Sequence, residues 1–133
     1  MPRRRSPLVL LVDDNPDLRE MLKMALEAVD HLRVIEAATS KTALLLARRH
    51  KLDLVISDLA RPGMNGLKFL KVFKRRYPHI PVIIASGDPD GSVEGKVKQQ
   101  GAFGFIAKPF LLDALHRVVK AALAPPEPGV AKP

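Results

Sequence analysis

Four apolar stretches of this chain each run into a residue able to handle phosphate or a metal ion. Leu8-Val9-Leu10-Leu11-Val12 leads to Asp13 and Asp14, and Leu54-Val55-Ile56-Ser57 leads to Asp58. Pro81-Val82-Ile83-Ile84-Ala85 leads to Ser86, and Phe103-Gly104-Phe105-Ile106-Ala107 leads to Lys108. Carboxylates brought close together cannot all stay ionised unless a cation compensates them. A hard divalent ion such as Mg2+ takes oxygen ligands, commonly one or two carboxylates plus a phosphate. The set therefore points to a carboxylate that receives a phosphoryl group with help from a divalent metal. Asp58, between the acidic pair and the Ser86/Lys108 side, is the best nucleophile, and an aspartyl phosphate is a known covalent intermediate. Lys108 would act as a point charge on phosphate oxygens, and Ser86 as a hydrogen-bond donor to the same group.

Taken singly these residues have plain explanations. Asp13-Asp14 could cap a helix, Asp58 could be a loop acid, Ser86 a turn residue and Lys108 a solvated charge. What argues for a site is their recurrence at the ends of four separate stretches. His31, His50, His79 and His116 lack ligand spacing and read as surface residues.

For these residues to meet, the stretches must be parallel strands of one sheet. The sequence between them has helical character. Asn15-Pro16 opens a helix, Asn as cap and Pro in the first turn, with Leu18, Met21, Leu22, Ala25, Leu26 and Val29 at helical spacing. Arg33–Ala37 reads as a second strand, less apolar and suited to an edge. Thr39 or Ser40 then caps a helix with Ala43, Leu44 and Ala47 inward, ending at Arg48-Arg49-His50. Asp58 to Gly66 reads as a loop; Leu67, Leu70 and Phe73 mark a third helix, stopped near Tyr77 by Pro78 and Pro81. Between Gly87 and Gly101 the signal weakens, with Gly91 and Gly95 inside it, so a short fourth helix is expected. Leu111, Leu112, Leu115, Val118, Val119, Ala122 and Leu123 form the face of a last helix.

Strands alternating with helices imply right-handed βαβ units and a sheet covered on both faces. The expected fold is α/β: a flavodoxin-like (βα)5 doubly wound parallel sheet of strand order 2-1-3-4-5. Ligands of such sheets bind at the carboxyl ends of the strands, where Asp13, Asp14, Asp58, Ser86 and Lys108 would converge. Residues 8–124 form one domain, residues 1–7 a basic disordered arm carrying Arg3, Arg4 and Arg5, and residues 125–133 a Pro-rich disordered tail.

Composition sets the bounds. No apolar run approaches the roughly 18 residues that span a bilayer, and the five-residue run after the basic start is short for a signal peptide, so no membrane role and a cytoplasmic location are expected. The absence of cysteine removes disulfides and thiolate metal sites. With no Trp and one Tyr the core should be aliphatic. The formal charge of +8 owes three units to the Arg3–Arg5 arm, and the basic residues lack the aromatic platform of single-strand binders. No direct DNA binding is expected.

With these residues in view, the chain resembles a response-regulator receiver domain of two-component signalling, from about Leu8 to Leu123. The motifs carrying the resemblance are Leu11-Val12-Asp13-Asp14-Asn15, Asp58 with Pro62 and Gly66 behind it, Ser86-Gly87, and Lys108-Pro109-Phe110. The resemblance implies that Asp58 accepts phosphate from a phosphohistidine on a sensor histidine kinase or a histidine phosphotransfer protein. It implies Mg2+ (or Mn2+) held by Asp14 and Asp58, by Asp13 largely through water, and by the backbone carbonyl of Ala60. Lys108 would contact the phosphoryl group, and the Lys108-Pro109 peptide would be cis. Ser86 and Phe105 would move together as the switch, biasing a two-state face made by the fourth helix, fifth strand and fifth helix toward an unknown downstream protein. Homodimers through that face are common in similar proteins. The implied protein is a phosphoacceptor that assists its own phosphorylation and dephosphorylation, not a turnover enzyme.

The chain departs from the family pattern at several positions. Phe105 stands where Tyr is common, Ser86 replaces the commoner Thr, and Arg61 occupies a usually apolar position. Ala60 and Asp88 flank the implied route of a hydrolytic water and would tune phosphoryl lifetime. A stand-alone receiver, acting as a binding switch or as a phosphate shuttle or sink, is the leading reading. Alternatives are an unphosphorylated pseudo-receiver, a receiver piece of a hybrid histidine kinase, and a haloacid-dehalogenase-type phosphatase. The last wants a second Asp two residues after the nucleophile, where this chain has Ala60. A flavodoxin-like FMN carrier would need a phosphate-cradling first loop, yet Asp13-Asp14-Asn15-Pro16-Asp17 would repel phosphate in the absence of a metal.

Overall fold

A computed structural model describes residues 6–59, 66–87 and 91–124. The arm before residue 6, the tail after 124, Ala60, Arg61 and Asp88 lie outside the described residues. The elements alternate: β1 (Leu8–Val12), α1 (Pro16–Asp30), β2 (Arg33–Ala37), α2 (Ser40–Arg49), β3 (Leu54–Asp58), α3 (Gly66–Arg76), β4 (Val82–Ser86), α4 (Ser92–Gln99), β5 (Gly104–Ala107) and α5 (Leu112–Leu123). The strands form one parallel sheet of order β2-β1-β3-β4-β5, as expected.

The sheet divides the core in two. On one face Leu10, Val12, Val55, Val82 and Ile84 pack with α2, α3 and α4 through Ala43, Ala47, Phe69, Phe73 and Val97. On the other, Val9, Leu11, Leu54, Ile56 and Ile83 pack with α1 and α5 through Leu22, Leu26, Leu115 and Val119. Successive strand residues point to opposite faces, so the continuous apolar runs of β1, β3 and β4 serve both layers. The core is mainly aliphatic, but its bulkiest fully buried side chains are Phe69 and Phe73 of α3, with ring centroids 5.7 Å apart.

Some expectations are corrected. β3 runs through Asp58 and β4 through Ser86, because the parallel ladder pairs Asp58 with Ala85 and Ser86 with Ala107. β5 starts at Gly104, not Phe103, which is half-exposed before the strand. Leu111 precedes α5 as its N-cap residue and is 77% exposed, and Leu112 and Met21 are largely exposed too. The stripes that meet the core are narrower than the apolar spacing suggested, centred on Leu22 and Leu26 in α1 and on Leu115 and Val119 in α5.

The amino edge of the sheet is tied by side chains. Asp53 Oδ2 accepts from Leu8 N at 2.8 Å, and Arg33 Nε donates to Ser6 O at 3.0 Å. Lys74 Nζ donates to the carbonyls of Pro78 and Ile80 at 2.9 and 2.7 Å, and burial lowers its pKa.

Candidate functional site

Strand register assembles the site. Val12 pairs with Ser57, so the next residues, Asp13 just past β1 and Asp58 at the end of β3, follow side by side. Ser86, one residue beyond the Ala85 that faces Asp58, ends β4, and Lys108 follows β5 directly. Lys108 N donates to Ser86 O at 2.9 Å, carrying the ladder one step past β5.

At this edge Lys108 Nζ lies 3.1 Å from Asp13 Oδ2 and 3.6 Å from Asp58 Oδ1. One carboxylate oxygen each of Asp13, Asp14 and Asp58 lies within 4.8 Å of the others. Asp13 is buried, Asp58 partly buried and Asp14 exposed, so the cluster grades from core to solvent. Donors that are all carboxylate oxygens, gathered this closely around a site with an open side, fit a hard divalent cation that keeps some of its waters. Ser86 is buried at the end of β4. The Lys108-Pro109 peptide is cis, as the resemblance implied.

Asp13 and the turn after it are held tightly. Asp13 N donates to Ala37 O at 3.1 Å, and its Oδ1 accepts from Asn15 N at 2.9 Å. Asn15 then caps α1, its Oδ1 accepting from Asp17 N and Leu18 N at 3.0 and 3.2 Å. After Asp58 the chain passes close to the start of α3. A Cβ on Gly66 would lie 2.5 Å from Leu59 Cα and 2.6 Å from Asp58 O. Only glycine fits there, and Gly66 N donates to Leu59 O at 2.7 Å.

The structure thus brings Asp13, Asp14, Asp58, Ser86 and Lys108 together. Phe105 is partly buried on β5 against the α2/α3/α4 cluster. The Ala60 carbonyl and Asp88 lie outside the described residues. Sequence reasoning missed Arg19, which lines the same crevice as Asp13, Asp58 and Lys108. Its guanidinium Nη1 donates to Asp13 O at 2.6 Å and its Nε to Glu36 Oε1 at 3.0 Å. Glu36 of β2 is its partner, 17 residues away, and neither residue stands out alone in the sequence.

A five-stranded parallel α/β sheet with an Asp cluster, a hydroxyl and a lysine at its carboxyl edge defines a CheY-like receiver fold. The chain belongs to the response regulator receiver domain family, whose model matches residues 9–120. It is 34% identical over 125 residues to the DNA-binding transcriptional regulator NtrC of Escherichia coli (strain K12), covering 88% of this chain and 25% of that protein. It is 36% identical over 123 residues to the transcriptional regulatory protein GlrR of the same organism, covering 91% of this chain and 27% of that protein. The chain spans about a quarter of the length of these curated relatives. Among solved structures it resembles the chemotaxis response regulator CheY4 of Vibrio cholerae, with TM-score 0.82, 28% identity and coverage of 90% of this chain and 100% of that one. The receiver domain of NtrX from Brucella abortus matches with TM-score 0.82 and 30% identity, covering 86% and 97%. Homology to NtrC- and CheY-type regulators places the chain in phosphorelay signalling.

Proposed function

We propose that Asp58 is the phosphoacceptor of this receiver, taking its phosphoryl group from a phosphohistidine on a sensor histidine kinase or histidine phosphotransfer protein. An Asp58 carboxylate oxygen attacks phosphorus, the phosphorus–nitrogen bond breaks, and the imidazole leaves with a proton from solvent. The observation that carries this reading is the Lys108 ammonium, 3.1 Å from Asp13 and 3.6 Å from Asp58, where four strand ends meet. From there it can follow the charge that develops on the phosphoryl oxygens, because phosphoryl transfer depends mainly on positioning and charge neutralisation. Ser86, buried at the end of β4, donates a hydrogen bond to the transferred group.

Asp13, Asp14 and Asp58, with the Ala60 carbonyl, would hold Mg2+ or Mn2+. The ion would supply electrostatic neutralisation of the incoming phosphate. Ala60 and Asp88 would tune the lifetime of the product. The domain serves as a phosphoacceptor and not as a turnover enzyme. Phosphorylation would bias the α4–β5–α5 face toward a downstream protein through Ser86 and Phe105; the partly buried Phe105 ring on β5 supports that coupling. Among the described residues no helix is long and apolar enough to cross a membrane, and the reading places the domain in the cytoplasm.

Intact mass after incubation with acetyl phosphate, with and without Mg2+, tests this. A metal-dependent gain of one phosphoryl group is expected for the wild type and complete loss for Asp58→Asn. A gain that persists in Asp58→Asn would overturn the assignment. If small-molecule donors leave the wild type unmodified, a phosphohistidine donor decides: failure there as well makes the chain an unphosphorylated pseudo-receiver.

A further inference from the structure

Every polar atom of Asp13 has a partner, and one partner is a side chain of α1. Its N–H reaches Ala37 O, Oδ1 takes the Asn15 N–H, and Oδ2 faces Lys108. Its carbonyl is held by Arg19 Nη1 from the first turn of α1. We propose that Arg19, oriented by Glu36 of β2, is a positioning residue that pins the Asp13–Asp14 turn and thereby sets the affinity of the site for a divalent cation. The inference rests on the reading of that site as a metal centre.

The geometry favours a dedicated clamp. A guanidinium is planar with donors in fixed directions, so fixing Nε on Glu36 Oε1 at 3.0 Å determines where Nη1 points. It points at the carbonyl of the buried acid, at 2.6 Å. The Arg19 side chain is only 16% exposed, which excludes most competing water, and Lys23 touches the other oxygen of Glu36 at 3.9 Å. Glu36 also neutralises Arg19. An unpaired cation lining the crevice would repel an incoming divalent ion, whereas the pair can fix the turn at little electrostatic cost.

Positioning and plain electrostatics predict opposite signs. Removing a positive charge beside an acidic cluster should tighten Mg2+ binding if Coulomb forces dominate. Releasing the Asp13 carbonyl should weaken it if positioning dominates, and loss of partners behind a metal ligand typically weakens affinity about 10–100-fold.

The experiment is calorimetric titration of Mg2+ alone into metal-free wild type, Arg19→Gln, Arg19→Lys, Glu36→Gln and the double variant Arg19→Gln/Glu36→Gln. Each is titrated well below its own melting temperature. The expected result is about tenfold weaker binding for Arg19→Gln, partial recovery with Arg19→Lys, and a double variant no worse than Arg19→Gln, because both residues belong to one clamp. Amide exchange at residues 13–15 of the metal-free protein should quicken in Arg19→Gln. Tighter binding by Arg19→Gln, or affinity within twofold of wild type with unchanged exchange, overturns the clamp while leaving the metal site standing. A wild type that takes up no Mg2+ overturns both.

Discussion

The two corners that flank Asp58, β1–α1 and β4–α4, are built to different standards. At the first, Asn15 caps a 15-residue helix through two N–H groups, Pro16 begins it, and Leu22 and Leu26 are buried beneath it. Asp13 is bonded on every side. At the second, α4 has eight residues, an N-cap glycine at φ 78° without a side-chain cap, and one buried residue, Val97. Gly95 sits inside it with nothing within 4 Å of where a Cβ would be, and the Glu94–Lys98 pair at 3.1 Å is exposed. The carboxylates and the hydroxyl of one site thus hang from a firm corner and a loose one. Elements that move in switching are drawn from the least stable parts of a fold. On the proposed reading, the corner that would hold a metal is preorganised, and the corner that would carry the output is free to yield.

Gly66→Ala should have the largest effect, because it strikes the acceptor strand between the two corners. Its Cβ would overlap Asp58 O and Leu59 backbone atoms, and such overpacking costs about 1–3 kcal/mol. Urea denaturation should show that loss, together with slower phosphoryl acceptance at Asp58. A variant as stable as wild type would show that the chain after Asp58 can shift freely. Asn15→Ala removes the cap of the firm corner and should cost about 1 kcal/mol; an unchanged urea midpoint would mean that the corner does not depend on its cap. In the loose corner the sign reverses. Gly95→Ala should stabilise the protein by about 0.5–1 kcal/mol, slow amide exchange across α4 and blunt any response of that helix to phosphorylation. Faster exchange in Gly95→Ala would remove the contrast. Glu94→Gln should be the mildest change, at most about 0.5 kcal/mol for an exposed i,i+4 pair, and it should fade in high salt.

The fold and most of the site could be read from the chain for one physical reason. A strand covered on both faces is mostly apolar until its carboxyl end, so Asp13, Asp58, Ser86 and Lys108, each in the last position of a strand or just beyond it, mark the binding edge. The weakness of α4 was visible in Gly91 and Gly95. Arg19 was not visible, because a charge beside Leu18 on an amphipathic helix looks solvated until the partner strand is placed, and Glu36 lies 17 residues away. The exposure of Met21, Leu111 and Leu112 was hidden for the converse reason. Periodicity shows which residues could face the core, but the number of layers above a helix decides which do. The fit of Gly66 against Asp58 depends on backbone proximity that has no side-chain signature.

The contact between Lys108 and Asp13 joins residues 95 positions apart, and β5 reaches the rest of the sheet only through β4. The charge arrangement around Asp58 therefore cannot form from any early fragment of the chain. During synthesis, the Asp58 carboxylate emerges well before the lysine that completes its surroundings. A nascent, misfolded or cleaved molecule lacking β5 would still display Asp58 but not the ammonium beside it. On the proposed role of Asp58, phosphoryl acceptance would therefore require the whole domain to be made and folded, and a truncated copy would stay silent.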